Sequence, residues 1–203
     1  GFGTVILDDG WQTDDNNRGY AYCGDWEVSK NRFPDFAHHV ERVHSLGMNY
    51  MIWYSVPFVG SSSNSWEMFQ DKLLTYNEAL KAGVLDPRYP QVREYLISIY
   101  EKALKEWGVD GFKMDFIDQI AERENSAKVN EQMDKESVQE ALDVLMSEIY
   151  RRLSAIKPEV MIEFRQRYIG PNMRKYGNMF RVTDCPGSAI SNRVGIIDLR
   201  MLS

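Results

Sequence analysis

Short apolar runs and amphipathic segments alternate along the chain. Runs of strand length predict five strands, at residues 4–7, 48–54, 109–116, 160–164 and 178–183. Apolar residues spaced by three and four predict helices at residues 35–46, 92–107, 137–156 and 189–202, with a short connecting helix at 171–176. Strands and helices that alternate in this way indicate a parallel sheet with right-handed crossovers.

Polar or aromatic side chains stand at the ends of nearly all the predicted strands. They are Asp8 and Asp9, Trp53 and Tyr54, Asp115, Glu163 and Arg165, and Asp184. In an open sheet the functional residues lie at one switch point in the strand order, whereas in a barrel they come from the ends of many strands. The chain also lacks a glycine-rich phosphate-binding fingerprint. These features favour an α/β fold of the TIM (β/α)8 barrel type.

The length allows only part of such a barrel. A complete barrel has eight strands and about 250 residues, whereas the 203 residues here carry five predicted strands, so roughly three are missing. The sequence opens directly in the apolar strand at residues 4–7 and shows no targeting signal there. We therefore expect residues 1–203 to be a single-domain fragment of a barrel in a larger protein, whose compartment the chain does not indicate.

Composition and charge argue against several classes of partner. The net charge is −6 and no block of Lys or Arg occurs, so nucleic acid is not an expected partner. No apolar run approaches the ~20 residues that a membrane span needs. Cys23 and Cys185 are too few for a disulfide framework or a cysteine metal site. His38 and His39 are adjacent on a predicted helix and cannot share a face, so a histidine metal site is not expected either.

The predicted strand at residues 109–116 carries the most distinctive chemistry. Strand side chains alternate between faces, so Lys113 and Asp115 project together. A cation fixed beside a carboxylate favours its ionised form, which suits a nucleophile or an electrostatic stabiliser. The same two residues would also make a purely structural ion pair. Two carboxylates that face each other across a barrel mouth suit glycoside hydrolysis.

These acids occur within a series of motifs that carries a family resemblance. The motifs are Leu7-Asp8-Asp9-Gly10-Trp11, Gly24-Asp25-Trp26, Lys113-Met114-Asp115 and Thr183-Asp184. Their order resembles the α-galactosidases of glycoside hydrolase family 36. The connecting segments agree, with Phe33-Pro34 before the first helix and Leu85-Asp86-Pro87 before the long one. The resemblance covers nearly the whole chain and implies strands two to six of the family's barrel, with the flanking β-domains outside it.

The resemblance implies a role for each matching residue. Asp115 matches the nucleophile and Asp184 the general acid/base of a retaining hydrolase, whose carboxyl groups lie about 5–5.5 Å apart or somewhat wider. The remaining matches concern the sugar: Asp8 and Asp9 for the 4- and 6-hydroxyls of galactose, Lys113 beside the nucleophile, and Trp11 and Trp53 lining the pocket. No metal or cofactor is implied. Family members are often oligomeric, so a homo-oligomer of the full-length protein stays open, and the chain itself does not indicate its oligomeric state.

One stretch departs from the family pattern. Where family members commonly carry a Cys-Ser-Gly-Gly-Gly-Gly-Arg-like stretch after the fifth strand, this chain has Glu163-Phe164-Arg165-Gln166-Arg167-Tyr168. Glycines let the backbone approach the sugar, so bulky cationic residues change recognition around the 2-hydroxyl and the leaving group. Arg165 or Arg167 is a candidate to bind the sugar or an anionic substituent. Glu163 is either a site residue or a buried partner of an arginine, and the orientation of Arg181 relative to Asp184 stays open.

The sequence therefore supports hydrolysis of terminal α-linked galactose in oligosaccharides or glycoconjugates, with three alternatives. The first is an α-N-acetylgalactosaminidase, and the second is a galactosyl transferase (transglycosylase) of the same clan. The third is a carbohydrate-binding module without catalysis. The presence of both Asp115 and Asp184 favours an enzyme.

Overall fold

The computed structural model describes residues 3–15, 20–165, 170–181 and 187–202. Its strands are β1 (Thr4–Leu7), β2 (Asn49–Ser55), β3 (Phe58–Gly60), β4 (Leu73–Asn77), β5 (Ala82–Leu85), β6 (Gly111–Asp115), β7 (Met161–Arg165) and β8 (Met179–Arg181). Its α-helices are α1 (Phe36–His44), α2 (Trp66–Phe69), α3 (Pro90–Lys102), α4 (Val138–Ile156) and α5 (Ala189–Leu202). A π-helix spans Ala103–Trp107, and 3-10 helices span Ile117–Gln119 and Pro171–Lys175.

Five strands form the sheet that positions the site. Their order is β1-β2-β6-β7-β8, and every neighbouring pair is parallel. The helices α1, α3 and α4 connect successive strands of this parallel sheet. The arrangement is part of a (β/α)8 barrel, and the fold prediction is confirmed. Glycine is needed at Gly111, because a Cβ there would lie 2.2 Å from the carbonyl oxygen of Met161 on the adjacent strand.

A small antiparallel sheet interrupts the barrel between β2 and α3. Its order is β3-β5-β4, and α2 lies between β3 and β4. The sequence patterns predict no strand between the strand at residues 48–54 and the helix at 92–107. These strands are three to five residues long, which is too short for a clear alternating pattern, and their pairing rather than their local sequence defines them.

Two helices end at other residues than the sequence predicted. The expected helix at 92–107 is α-helical only to Lys102, continues as a π-helix to Trp107 and ends at Gly108, whose φ of 68° is left-handed. The first helix ends at His44, and Leu46 beyond it is 72% exposed. At α4 the Ser137 side chain accepts a hydrogen bond from the backbone N–H of Glu140 and so caps the helix.

The hydrophobic core lies between the curled sheet and the helices. The inner faces of α3 and α4 contribute Val92, Leu96, Tyr100, Leu145, Ile149 and Leu153, which are buried together with Ile52, Phe112 and Ile162 of the sheet. Packing of this kind holds the strand ends in a fixed array, on which a site can be built. None of the helices in the described ranges combines the length and apolar character that crossing a membrane requires.

Candidate active site

Register across the parallel strands brings the candidate residues into rows. Trp53 on β2 is in register with Lys113 on β6, which is in register with Glu163 on β7. Leu7 pairs with Ile52, so Asp8 directly after β1 stands at the same level as Trp53. Side chains two residues further along a strand project to the same side. Asp115 and Arg165 therefore form the next row above Lys113 and Glu163.

Asp115 is held by hydrogen-bond donors on both carboxylate oxygens. Oδ2 accepts a hydrogen bond from Nε1 of Trp53 at 3.0 Å. Oδ1 accepts from Nε of Arg165 at 2.7 Å and from the backbone N–H of Phe116 at 2.9 Å. The Asp115 side chain is 5% exposed and that of Arg165 is 12% exposed. The carboxylate is thus fixed in orientation at the C-terminal end of β6, where barrel enzymes carry their chemistry.

The backbone is strained at the residue that follows this carboxylate. Phe116 has a φ of 62°, in the left-handed region that a bulky side chain rarely adopts. This conformation accompanies the hydrogen bond that its N–H donates to Asp115. The ring is held in turn by Phe58 at 5.1 Å between centroids and by the guanidinium of Arg165 at 5.7 Å. Strain maintained by surrounding contacts is typical of functional sites.

Lys113 pairs with Asp8, so the cation beside Asp115 is a different residue from the one expected. Nζ of Lys113 lies 2.6 Å from Oδ2 of Asp8, whereas the ion pair described for Asp115 is with Arg165. The Lys113 side chain is 10% exposed and that of Asp8 is 62% exposed. Asp9 is also exposed, and its Oδ1 accepts a hydrogen bond from Nε2 of Gln12 at 2.8 Å. Both carboxylates therefore face solvent, and that of Asp8 is paired with a nearly buried ammonium.

Glu163 is the buried partner of an arginine, one of the two interpretations that the sequence left open. Its Oε1 accepts a hydrogen bond from Nε of Arg181 at 2.8 Å, across the adjacent strands β7 and β8. The Glu163 side chain is 4% exposed and that of Arg181 is 33% exposed. Arg181 therefore lies on the same side of the sheet as Glu163.

Trp11 is a core residue, which corrects its expected place in the pocket wall. It is 1% exposed, and its Nε1 donates to the backbone carbonyl of Trp53 at 2.7 Å. Its ring packs against those of Trp26, Tyr54 and Trp107, at centroid distances of 6.0, 5.3 and 5.7 Å. Trp11 thus supports the site through Trp53, whose backbone it holds.

Tyr20 is a site neighbour that the sequence analysis missed. Its ring stacks on Trp53 at 6.0 Å and on Phe58 at 5.2 Å, and meets the edge of Phe116 at 5.3 Å. Burial raises the pKa of its hydroxyl, and the charges of Asp9 and Asp115 raise it further. Tyr20 lies between the predicted strand at residues 4–7 and the predicted helix at 35–46, in a segment rich in Asp, Asn and Gly, where an aromatic residue was the signal available.

The motif Gly24-Asp25-Trp26 has a structural role in the described residues. Both oxygens of Asp25 accept hydrogen bonds from the segment after β3: Oδ1 from the backbone N–H of Ser65 at 2.7 Å, and Oδ2 from that of Asn64 at 2.9 Å. Asp25 thereby ties the loop after β1 to the antiparallel insertion. Cys23 beside it is no candidate nucleophile, because burial raises the pKa of its thiol to about 12.

Two candidate positions remain sequence predictions. Asp184 and Arg167 lie outside the described residues. Within the described ranges, no group of three or more His, Cys, Asp or Glu side chains is arranged to hold a metal ion.

The chain matches the family model described as Melibiase over residues 1–167, and it belongs to this family. Alpha-galactosidase Mel36A from Lactobacillus acidophilus is 32% identical over 77 residues, which are 36% of this chain and 10% of that protein. The "A type blood alpha-D-galactosamine galactosaminidase" from Flavonifractor plautii is 26% identical over 165 residues, 72% of this chain and 14% of that protein.

Solved structures show the same fold. A variant of the family 36 α-galactosidase AgaA from Geobacillus stearothermophilus, in complex with raffinose, has a TM-score of 0.75 at 20% identity over 97% of this chain and 28% of its own. The α-galactosidase from Lactobacillus brevis has a TM-score of 0.71 at 22% identity over 98% of this chain and 27% of its own. The chain thus spans well under a third of the length of these relatives.

Proposed function

We propose that the natural polypeptide carrying this chain is a retaining glycoside hydrolase that removes terminal α-linked galactose from oligosaccharides or glycoconjugates. Membership of the Melibiase family supports this proposal. The observation that carries it is the fixed carboxylate of Asp115, bound by Trp53, Arg165 and the backbone of Phe116 at the end of a barrel strand. Asp115 is the nucleophile in this mechanism, and Asp184 is the general acid/base.

In the same proposal, the exposed acids bind the sugar. Asp8 and Asp9 accept hydrogen bonds from the 4- and 6-hydroxyls of galactose, and Lys113 fixes Asp8 through their 2.6 Å ion pair. Charged acceptors bind hydroxyl groups more strongly than neutral ones. A site built to bind a hydroxyl group also discriminates sharply against a sugar that lacks it there. Asp8 therefore carries the preference for galactose over glucose.

The product formed with azide tests both carboxylates separately. In Asp115→Ala, turnover of an aryl α-galactoside should fall by more than about a thousandfold, and azide should restore it with β-galactosyl azide as product, since azide attacks in place of the nucleophile. In Asp184→Ala, azide should instead intercept the glycosyl-enzyme and give α-galactosyl azide. Asp118→Asn is the matched control, because Asp118 is an exposed carboxylate near Asp115. If Asp115→Ala gave the α-azide and Asp184→Ala the β-azide, Asp184 would be the nucleophile and Asp115 the general acid/base.

A second candidate substrate is α-linked galactosamine. The relative that matches 72% of this chain is named as a galactosaminidase, and this chain replaces the glycine-rich stretch by charged residues that include Glu163. The same assay with aryl α-galactosaminide and α-N-acetylgalactosaminide separates the substrates. A preference for the amino sugar would leave the proposed mechanism intact and replace galactose by galactosamine as the substrate sugar. Binding of galactose without turnover of any glycoside would instead identify a binding module.

A further inference from the structure

An arginine on the strand next to the candidate nucleophile is directly bonded to it. Nε of Arg165 donates to Oδ1 of Asp115 at 2.7 Å, and both side chains are nearly buried. The guanidinium also lies over the ring of Phe116, 5.7 Å from its centroid. Charges interact more strongly where water is excluded than at an exposed surface. The energy of any state in which Asp115 loses its charge therefore depends on Arg165.

We propose that Arg165 is a positioning residue that sets the balance between the two steps of double displacement at Asp115. The inference rests on the proposed function. In the first step, a carboxylate oxygen of Asp115 bonds to the anomeric carbon while the bond to the leaving oxygen breaks and that oxygen takes a proton from the general acid. In the second, water bonds to the anomeric carbon and gives a proton to the base. The bond to Asp115 breaks as the bond to water forms, and its electron pair returns to the carboxylate.

The charge of Arg165 affects these steps in opposite directions. A guanidinium stabilises the carboxylate more than the neutral ester that replaces it in the glycosyl-enzyme. Forming the ester therefore becomes slower, because stabilisation of the reactant is partly lost in the transition state. Breaking the ester becomes faster, because the same stabilisation is partly regained. Arg165 thus shortens the lifetime of the covalent intermediate and makes its formation the slow step.

The wild-type protein gives the first test, with the natural polypeptide and a series of aryl α-galactosides. We expect kcat to rise with the acidity of the leaving phenol, without a burst of phenol release, because formation of the glycosyl-enzyme is limiting. A burst, or a kcat that is the same for every phenol, would overturn the inference while leaving the proposed function intact. Absence of turnover on every substrate would overturn the proposed function and this inference with it.

The variant Arg165→Gln gives the second test. It removes the charge, so hydrolysis of the glycosyl-enzyme should slow while its formation does not. The ratio of kcat to kcat/KM should therefore fall on the order of tenfold, and intact mass spectrometry should detect the galactosylated enzyme during turnover. Arg165→Lys keeps the charge and should show neither change. Arg151→Gln is the control, because Arg151 is an exposed arginine paired with Glu148. Equal losses of kcat and kcat/KM without a covalent adduct would show a structural role alone and overturn the inference.

Discussion

Trp53 donates a hydrogen bond from Nε1 to Oδ2 of Asp115 at 3.0 Å, across the neighbouring strands β2 and β6. Trp53 is 2% exposed and Asp115 is 3% exposed, so the bond is shielded from water. The face of the Trp53 ring packs against Tyr20, and its backbone carbonyl is held by Trp11. The indole therefore fixes the orientation of Asp115 in addition to any contact that it makes with a sugar.

Replacing Trp53 by phenylalanine separates these two contributions. Trp53→Phe keeps an aromatic ring in the core but removes the Nε1 donor to Asp115. Without this donor Asp115 is no longer fixed in its orientation, and misplacement of a reacting group costs up to about a hundredfold. We therefore expect kcat/KM for an aryl α-galactoside to fall about ten- to a hundredfold. Wild-type kinetics in a folded variant would show that the hydrogen bond is dispensable. Circular dichroism of each variant provides the folding control.

The Lys113–Asp8 ion pair leads to a prediction about sugar preference. Asp8→Asn keeps the shape of the side chain but removes the charge that Lys113 holds at 2.6 Å. We expect kcat/KM for α-galactoside to fall by about a hundredfold, and that for the matching α-glucoside to change far less. The ratio of the two values is the measurement. Asp71→Asn, at an exposed acid that pairs with Lys72, is the control. An unchanged ratio would remove Asp8 from the specificity of the site.

Tyr20 is expected to act through its ring. Tyr20→Phe preserves stacking on Trp53 and Phe58, whereas Tyr20→Leu removes the aromatic ring. An aromatic pair contributes about 0.5–1.5 kcal/mol beyond its buried area, so Tyr20→Leu should raise KM several-fold and Tyr20→Phe should behave as wild type. Steady-state kinetics on both variants decide the question. If the phenylalanine variant were as impaired as the leucine variant, the hydroxyl group would be the important part.

The central barrel strands β2, β6 and β7 were predictable from sequence because they are mostly buried and apolar. The predicted strand at 109–116 and the observed β6 share the segment that carries Lys113 and Asp115. The antiparallel insertion was not predictable in the same way, because strands as short as Phe58–Gly60 depend on pairing with Ala82–Leu85, more than twenty residues away. The change from α-helix to π-helix after Lys102 likewise could not be predicted, because it does not alter the spacing of apolar residues in a recognisable way.

At the site, sequence reasoning could not identify which residues form ion pairs with each other. Alternation along one strand places Lys113 and Asp115 on the same face, and the natural inference is that they interact. In the structure each pairs across strands instead, Lys113 with Asp8 and Asp115 with Arg165. Interactions between strands depend on register and side-chain length, neither of which can be read from one segment. Trp11 was likewise expected in the pocket and lies in the core, because it packs against Trp26, Tyr54 and Trp107, which the sequence around it does not reveal.

A buried ion pair where β5 leads into α3 should dominate the stability of this region. Asp86 and Arg88 have side chains 0% and 2% exposed, joined by a hydrogen bond of 2.7 Å between Arg88 Nη2 and Asp86 Oδ2. Arg88→Met leaves the Asp86 charge buried alone and should cost about 3–5 kcal/mol. The double variant Asp86→Asn/Arg88→Met should recover part of this loss. Calorimetric unfolding measures both, and equal destabilisation of single and double variants would contradict the prediction.

Asp110 should make the stability of the fold depend on pH. Burial alone would raise the pKa of its carboxyl, but hydrogen bonds from Lys157, from the backbone N–H of Tyr50 and from His44 outweigh burial and place that pKa below the ordinary 3.8. A lowered pKa in the folded state contributes stability that is present above the ordinary value and is lost as pH falls through the folded value. Asp110→Asn should therefore unfold at a lower temperature than wild type at neutral pH, and the difference should shrink in acid. Asp118→Asn, at an exposed carboxylate, should show no such trend. A difference that stays constant or grows on acidification would assign the role of Asp110 to shape rather than charge.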